Sequence, residues 1–394
     1  MNDVFRGLID AQAEKLLAGY RDSDPFFFAT PEHTLLAQGH YSTIPQAASL
    51  ATLGQVVASE LRKAQDQGHP HPVAVGAIPF DGRQPACLSI AHQVVMAGPL
   101  SPRPDVMERR PSRYSLRAVP PPQDYAAAVA DAVQRIQRGE LSKVVLARTL
   151  EMQGNQDVDV QFLLERLARR NAQGYTFAVR LAGTAGTLVG ASPELLLSRQ
   201  GLQVRSNPLA GSAARTADTQ EDMRRSQALL QSSKDLHEHK VVADAVAQGM
   251  RPYCRTLNVP AGPSLISTAT MWHLSSDIRG ELATPEANAL QLAASLHPTP
   301  AVCGHPTRTA FELIGQLEPF ARGYYTGMVG WCDAQGNGEW IVTLRCAQVQ
   351  GRHMRLYAGA GIVADSDPQS EVAETGAKFR TMLNALGQAQ EGAV

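Results

Sequence analysis

The stretch HMRLYAGAGIVADSDPQSEVAETGAKFR, residues 353–380, sets three signals end to end. Residues 353–363 form an apolar run that reads as a strand and carries the glycine-containing segment AGAG at 358–361. An acidic loop follows, and over 369–386 the apolar spacing becomes helical. At about 100° per residue, Glu371, Glu374 and Lys378 share an arc of roughly 60°, with Phe379, Met382, Leu383 and Leu386 in the adjoining arc. The charged set therefore borders the apolar stripe instead of opposing it. Both a solvated edge, with Glu–Lys pairs worth a few tenths of a kcal/mol, and one wall of a site fit that phase.

Outward from this stretch, strand runs recur at SKVVLART (142–149), GTLVGA (186–191), PSLISTATMWHL (263–274) and GEWIVTLRCAQV (338–349). Helical spacing falls between them at 123–138, 157–170, 218–250 and 285–294, the first of these stopping at Gly139. The order lacks regular βαβ spacing, which argues for an α+β protein built on large, mostly antiparallel sheets. Pro-rich segments punctuate the first third at 68–72 and 99–122. The second reads as a long surface connection. The strands beyond it need sheet partners, so a single domain over 1–394 is expected.

Composition fits a globular chain: of 394 residues, 44 % are hydrophobic and 19 % charged. Lysine plus arginine (36) nearly balances aspartate plus glutamate (37), which gives no general attraction to nucleic acid or to an anionic membrane. The five cysteines form no CxxC pair and read as reduced thiols, without a disulfide framework or structural zinc site. The segment MNDVFRGLIDAQAEKLL lacks a signal-peptide core and no run is long enough for a membrane span, so a cytoplasmic protein, monomeric by default, is expected.

Charged residues stand in several apolar settings. In KDLHEHKVVADAV, Glu238 shares a helical stripe with Val242, Ala245 and Gly249, where an unpaired carboxylate is costly and calls for a cation or several donors. The flanking His237 and His239 point about 200° apart on a helix, which disfavours joint zinc ligation and leaves surface or supporting roles. Carboxylates without thiolate or paired imidazole suit a hard cation such as Mg²⁺. Lys143 opens the KVVLAR strand on the face of Val145 and Ala147, either as a desolvated general base or as a lysine snorkelling to solvent at the edge. In ASPELLLS, Glu194 is either a carboxyl kept protonated by apolar surroundings or a turn residue facing water. PLAGS (208–212) and AGAG place glycines where a backbone N–H can approach an anion, and there is no Walker A loop. Cys303 reads as a packed thiol.

Taken in order, KVVLAR, ASPELLL, PLAGS, HEH, HLSSDIRG, LHPTPAVCGHP, YYTGMVG, TLRCA and AGAGIV…EVAETGAK resemble the chorismate-utilising enzymes, nearest to isochorismate synthases that feed catecholate siderophores or menaquinone. The resemblance covers residues 120–386; residues 1–119 match only loosely. It implies one large α+β domain with sheets packed face to face, helices outside and the site in a cleft, together with Mg²⁺, chorismate and no organic cofactor. By motif position, Lys143 resembles the base that activates water for attack at C2, and Glu194 the acid that protonates the departing C4 hydroxyl. Glu238 and Glu374 match metal-binding glutamates, with Glu371 a ligand or water-mediated neighbour. Arg345, Tyr325, Lys378 and backbone N–H groups near Gly361 match the residues that hold the substrate's carboxylates and pyruvyl ether. Leu209, Gly211, Ser212 and His273 line the same cleft.

The implied reaction is isomerisation of chorismate to isochorismate. The alternative is salicylate synthesis, in which pyruvate is then eliminated; those enzymes resemble one another in a threonine where this chain has Ala301. Lys143 disfavours the ammonia-using anthranilate synthases. A magnesium-dependent phosphoesterase, suggested by the glutamates and glycines alone, lacks an evident nucleophile.

Overall fold

The computed structural model describes residues 12–101, 113–171, 173–181, 183 and 186–388. Residues 1–11, read above for a leader, and residues 102–112 of the Pro-rich connection lie outside them.

Strand side chains alternate between two interiors. Phe26 and Phe28 of strand Phe26–Ala29 enter one core, while Phe27 and Ala29 enter another. In Tyr175–Leu181 the aromatic and branched residues Tyr175, Phe177, Val179 and Leu181 take one side and Ala178 the other. Burial on both faces produces the unbroken apolar runs seen in the sequence. One core is made of strand residues apart from Tyr325, so sheet packs on sheet there. The other three join strands to helices. The α+β architecture with face-to-face sheets and outer helices is therefore as expected.

Among the described residues, seventeen strands form one hydrogen-bonded network and three form a smaller sheet, Leu209–Ala214, Met271–Ser275 and Ser264–Ser267. The network's centre is Lys143–Gly154, paired antiparallel with His353–Ile362. Its other edge is shared by Tyr114–Val119 and the short Gly304–His305. Part of the supposed surface connection is thus a strand. The loosely matched N-terminal region supplies Phe26–Ala29, Thr34–Thr43, Val73–Ile78 and Cys87–Ala97, which link Tyr175–Leu181 to Met328–Asp333.

Four expected elements break or move. The strand expected at 338–349 is two, Gly338–Val342 and Cys346–Gln350, because the chain changes partners between them. Gly338–Val342 pairs with Leu195–Gln200, but Cys346–Gln350 pairs with Gly186–Ser192. Two crossings result, at residues 193–194 and 343–345, and they are tied together. Val342 N–H donates to Glu194 O at 3.2 Å, and Ala191 N–H to Arg345 O at 3.1 Å. The run 263–274 is also two strands, since the Thr268 hydroxyl accepts from Met271 N–H at 3.0 Å and closes a turn. The helix expected at 218–250 splits into Thr219–Gln231 and Ser233–Met250, where Ser232 leaves helical geometry and caps Asp235 N–H. The helix expected at 285–294 is Ala289–Leu296, started by a capping box of Asn288 and Gln291.

Candidate active site

Lys143 begins its strand facing inward, with its side chain 2 % exposed and Nζ 2.8 Å from Glu238 Oε1. The contact is an ion pair lying off hydrogen-bond alignment, so Nζ has no conventional acceptor. The edge-snorkelling reading does not hold. Glu238 comes from helix Ser233–Met250, and Gly361 of the neighbouring strand leaves room for both. A Cβ on Gly361 would run into Glu238 Oε1 and lie 3.1 Å from the Lys143 stem, so a side chain there would push the pair apart. The flanking histidines differ: His237 is exposed, while His239 is buried between Ala210 O (3.2 Å) and the Ser276 hydroxyl (2.8 Å).

The closing helix Pro368–Ala385 turns its acidic arc into the same space. Glu371 is 2 % exposed; one oxygen meets Lys234 Nζ at 3.3 Å, and Oε2 is buried with no hydrogen-bond partner. Glu374 Oε1 meets Lys378 Nζ at 2.6 Å and accepts from the Ser212 hydroxyl at 3.0 Å. Lys378 also donates to Gly359 O at 2.8 Å. Burial and then the Glu374 charge push the Glu371 carboxyl up. Burial acts the same way on Glu374, but Lys378 and Ser212 outweigh it and hold that carboxyl down. These groups form a pocket wall, which disposes of the solvated-edge reading. Buried Arg148 fastens the helix behind them, donating to Thr375 Oγ1 at 2.8 Å and Val372 O at 3.1 Å.

The opposite wall stands on the two chain crossings. Glu194 is 3 % exposed and its Oε1 receives Leu209 N–H at 3.4 Å; burial pushes its carboxyl up to about 8. It is a protonated acid at neutral pH, not a turn residue facing water. Arg345 adopts a left-handed backbone (φ 46°), as does Thr326 (φ 59°), which also lines the pocket. Such strain in non-glycine residues persists only where surroundings hold it, and it gathers at functional sites. Arg345 donates through Nη2 to His273 Nε2 at 3.3 Å, and its buried Nη1 has no partner. Burial, then Arg345 and Lys378, push His273 well below its ordinary range, so the ring is a neutral acceptor. Burial lowers Arg345 only to about 10, which leaves it charged at neutral pH.

The remaining expected residues complete the pocket. Leu209, Gly211 (φ 78°) and Ala301 line it, and Tyr325 stacks on Tyr357 with centroids 5.0 Å apart. All expected residues are brought together, although Lys143 and Glu371 reach the pocket behind their ion-pair partners. Sequence reasoning missed Lys234, Asp235, Thr326 and Tyr357 in the lining. It also missed the buried Glu318–Arg322 pair. Glu318 accepts Ala147 N–H at 2.8 Å, while Arg322 donates to Val145 O at 2.7 Å and Val302 O at 2.8 Å. That ion pair fills the strand edge between the two short partners of Lys143–Gly154 and braces the wall at Val302 and Thr326. In sequence it is one more i,i+4 Glu–Arg pair, indistinguishable from a surface one.

Glu238, Glu371 and Glu374 offer an all-oxygen donor set, and among the described residues the buried Glu371 Oε2 makes no conventional hydrogen bond. In donor chemistry these residues suit a hard divalent ion. Each is meanwhile held by a lysine, and among the described residues no three acidic, histidine or cysteine side chains converge at ligand spacing. The five cysteines are free, and burial pushes the Cys303 thiol up to about 12, consistent with packing. Among the described residues, no helix is long and apolar enough to cross a membrane.

Comparison with known proteins places this geometry. A family model described as chorismate binding enzyme matches residues 95–387. The isochorismate synthase DhbC of Bacillus subtilis is 51 % identical over 389 residues, covering 96 % of this chain and 98 % of that protein. The vibriobactin-specific isochorismate synthase of Vibrio cholerae is 44 % identical over 376 residues, covering 95 % and 94 %. The crystal structure of DhbC from Bacillus anthracis, assigned as a 2,3-dihydroxybenzoate-specific isochorismate synthase, superposes with a TM-score of 0.92 at 47 % identity, covering 95 % of this chain and all of that one. The chain belongs to the chorismate-binding enzymes.

Proposed function

We propose that the chain converts chorismate to isochorismate. The observation that carries this reading is a protonated, buried Glu194 in the same pocket as a guanidinium with a free edge, with the buried Lys143 just behind Glu238 in the wall. A dianionic ring substrate would meet Arg345 and Lys378 through its carboxylates, with Tyr325 beside them. Lys143, once it has given up its own proton and stands as the free amine, would take a proton from water as the water oxygen bonds to C2 and the ring double bonds shift. Glu194 would give its proton to the C4 hydroxyl, which leaves as water. One water enters and one departs, so the net change is isomerisation. Positioned acid–base pairs of this kind contribute about 10²–10⁴-fold each.

Glu238, Glu371 and Glu374 would hold Mg²⁺, which when bound supplies charge neutralisation for the substrate's carboxylate. Ala301, where salicylate-forming relatives resemble one another in a threonine, supports stopping at isochorismate. The relatives' names support siderophore synthesis as the use of the product, with menaquinone synthesis as the alternative.

The test is incubation with chorismate and Mg²⁺, with chromatography of the ring products and a coupled assay for pyruvate. Isochorismate without pyruvate is expected. Salicylate with equimolar pyruvate would replace the isomerase reading by a lyase, and unconsumed chorismate would remove both.

A further inference from the structure

The site stores three glutamates against three lysines: Glu238 on Lys143, Glu374 on Lys378 and Glu371 on Lys234. The three lysines are not equivalent. The Lys143 side chain is 2 % exposed and that of Lys378 is 16 %, whereas that of Lys234 is 35 % and has a way out to solvent. Lys234 also stands in the first turn of helix Ser233–Met250, where the helix dipole favours acids and opposes an ammonium. Helix stability does not explain it there. Its partner Glu371 is 2 % exposed, with Oε2 unpartnered.

We infer that Lys234 is a built-in counter-cation that holds Glu371 in the metal-free site and competes with the divalent ion for it. This rests on the proposed binding of Mg²⁺ by Glu238, Glu371 and Glu374. With Lys234 in place the carboxylates do not repel one another while they wait. A divalent ion must then displace the ammonium or bind against its charge, so Lys234 sets cation affinity without contributing a ligand. Lys143 has no such exit.

The experiment compares wild type, Lys234→Met and Lys234→Arg by calorimetric Mg²⁺ titration without substrate, and by thermal unfolding in EDTA and in excess Mg²⁺. Lys234→Met keeps the apolar stem and removes the charge. Its Kd for Mg²⁺ should fall about tenfold, since a cation near the site is repelled less. Its Tm in EDTA should drop below wild type and recover with Mg²⁺, whereas Lys234→Arg should behave as wild type in both. Wild-type binding with an unchanged or weaker Kd in Lys234→Met would overturn the inference and leave the metal reading standing. A wild type that binds no Mg²⁺ would remove the metal reading and the inference together.

Discussion

The two walls of the pocket use the same kinds of charged residue in opposite ways. On the wall of helices Ser233–Met250 and Pro368–Ala385, every glutamate has a lysine within 3.3 Å. On the wall of the two chain crossings, Glu194 meets only a backbone N–H at 3.4 Å, and Arg345 has a neutral imidazole and an empty Nη1. The difference teaches where a ligand's charge must go. Paired charges are neutral until something displaces a partner. An unpaired buried guanidinium is a standing debt of desolvation that an anion settles on arrival. Under the proposed function, Glu194 and Arg345 would act on the substrate directly, joined by Lys143 and Lys378, and the three paired glutamates would take the cation.

The sharpest break of this comparison is chemical. Lys143→Ala or Glu194→Gln should lower kcat by about 10²–10⁴-fold with the fold kept, as judged by circular dichroism. The Glu194 assignment also fixes a pH dependence. Its acid form is the active one and burial raises its pKa to about 8. In wild type, kcat/KM should hold up to that pH and then fall about tenfold per unit above it, as the proton is lost. A profile flat to pH 10, or turnover unchanged in Glu194→Gln, would return Glu194 to a structural role.

Much of the paired wall was legible in the sequence, and much of the other was not, for a physical reason. Helical phase brings Glu371, Glu374 and Lys378 to one arc whatever they pack against, so the period alone exposes them. Glu238 announces itself by standing on an apolar stripe. Arg345 had no local signal: apolar residues run on both sides of it, and the break at 343–345 is set by a change of sheet partner among strands at 186–200, far back in the chain. Its role was legible only through family resemblance. Phe26–Ala29 and Val73–Ile78 were missed likewise, because burial on both faces erases the alternation that marks a strand. Lys234 was overlooked since a lysine in a charged first turn reads as solvated.

An intermediate break targets recognition alone. Arg345→Met removes the free guanidinium edge while Glu194 and Lys143 stay in place. A charge-assisted hydrogen bond worth about 1.5–3 kcal/mol corresponds to roughly a 10–100-fold rise in KM for chorismate, with a smaller change in kcat. Steady-state kinetics at saturating Mg²⁺ separates the two. A loss confined to kcat would move Arg345 from substrate holding to the chemical step.

The smallest expected effect lies on the paired wall. Ser212 donates to Glu374 Oε1 at 3.0 Å, the same oxygen that Lys378 Nζ approaches at 2.6 Å. Ser212→Ala deletes the neutral donor and leaves the ion pair, so the carboxylate keeps its counter-charge but loses one of two restraints on its direction. A hydrogen bond to a charged group costs about 1.5 kcal/mol at the low end when lost, or roughly tenfold, and the remaining lysine should hold the effect to a few-fold in the Mg²⁺ concentration giving half-maximal rate. Turnover at saturating Mg²⁺ should stay near wild type, because nothing that moves a proton has changed. If instead Ser212→Ala lost as much kcat as Glu194→Gln, the paired wall would belong to the chemistry as fully as the crossings do, and the division between a waiting wall and a working one would fail at Glu374.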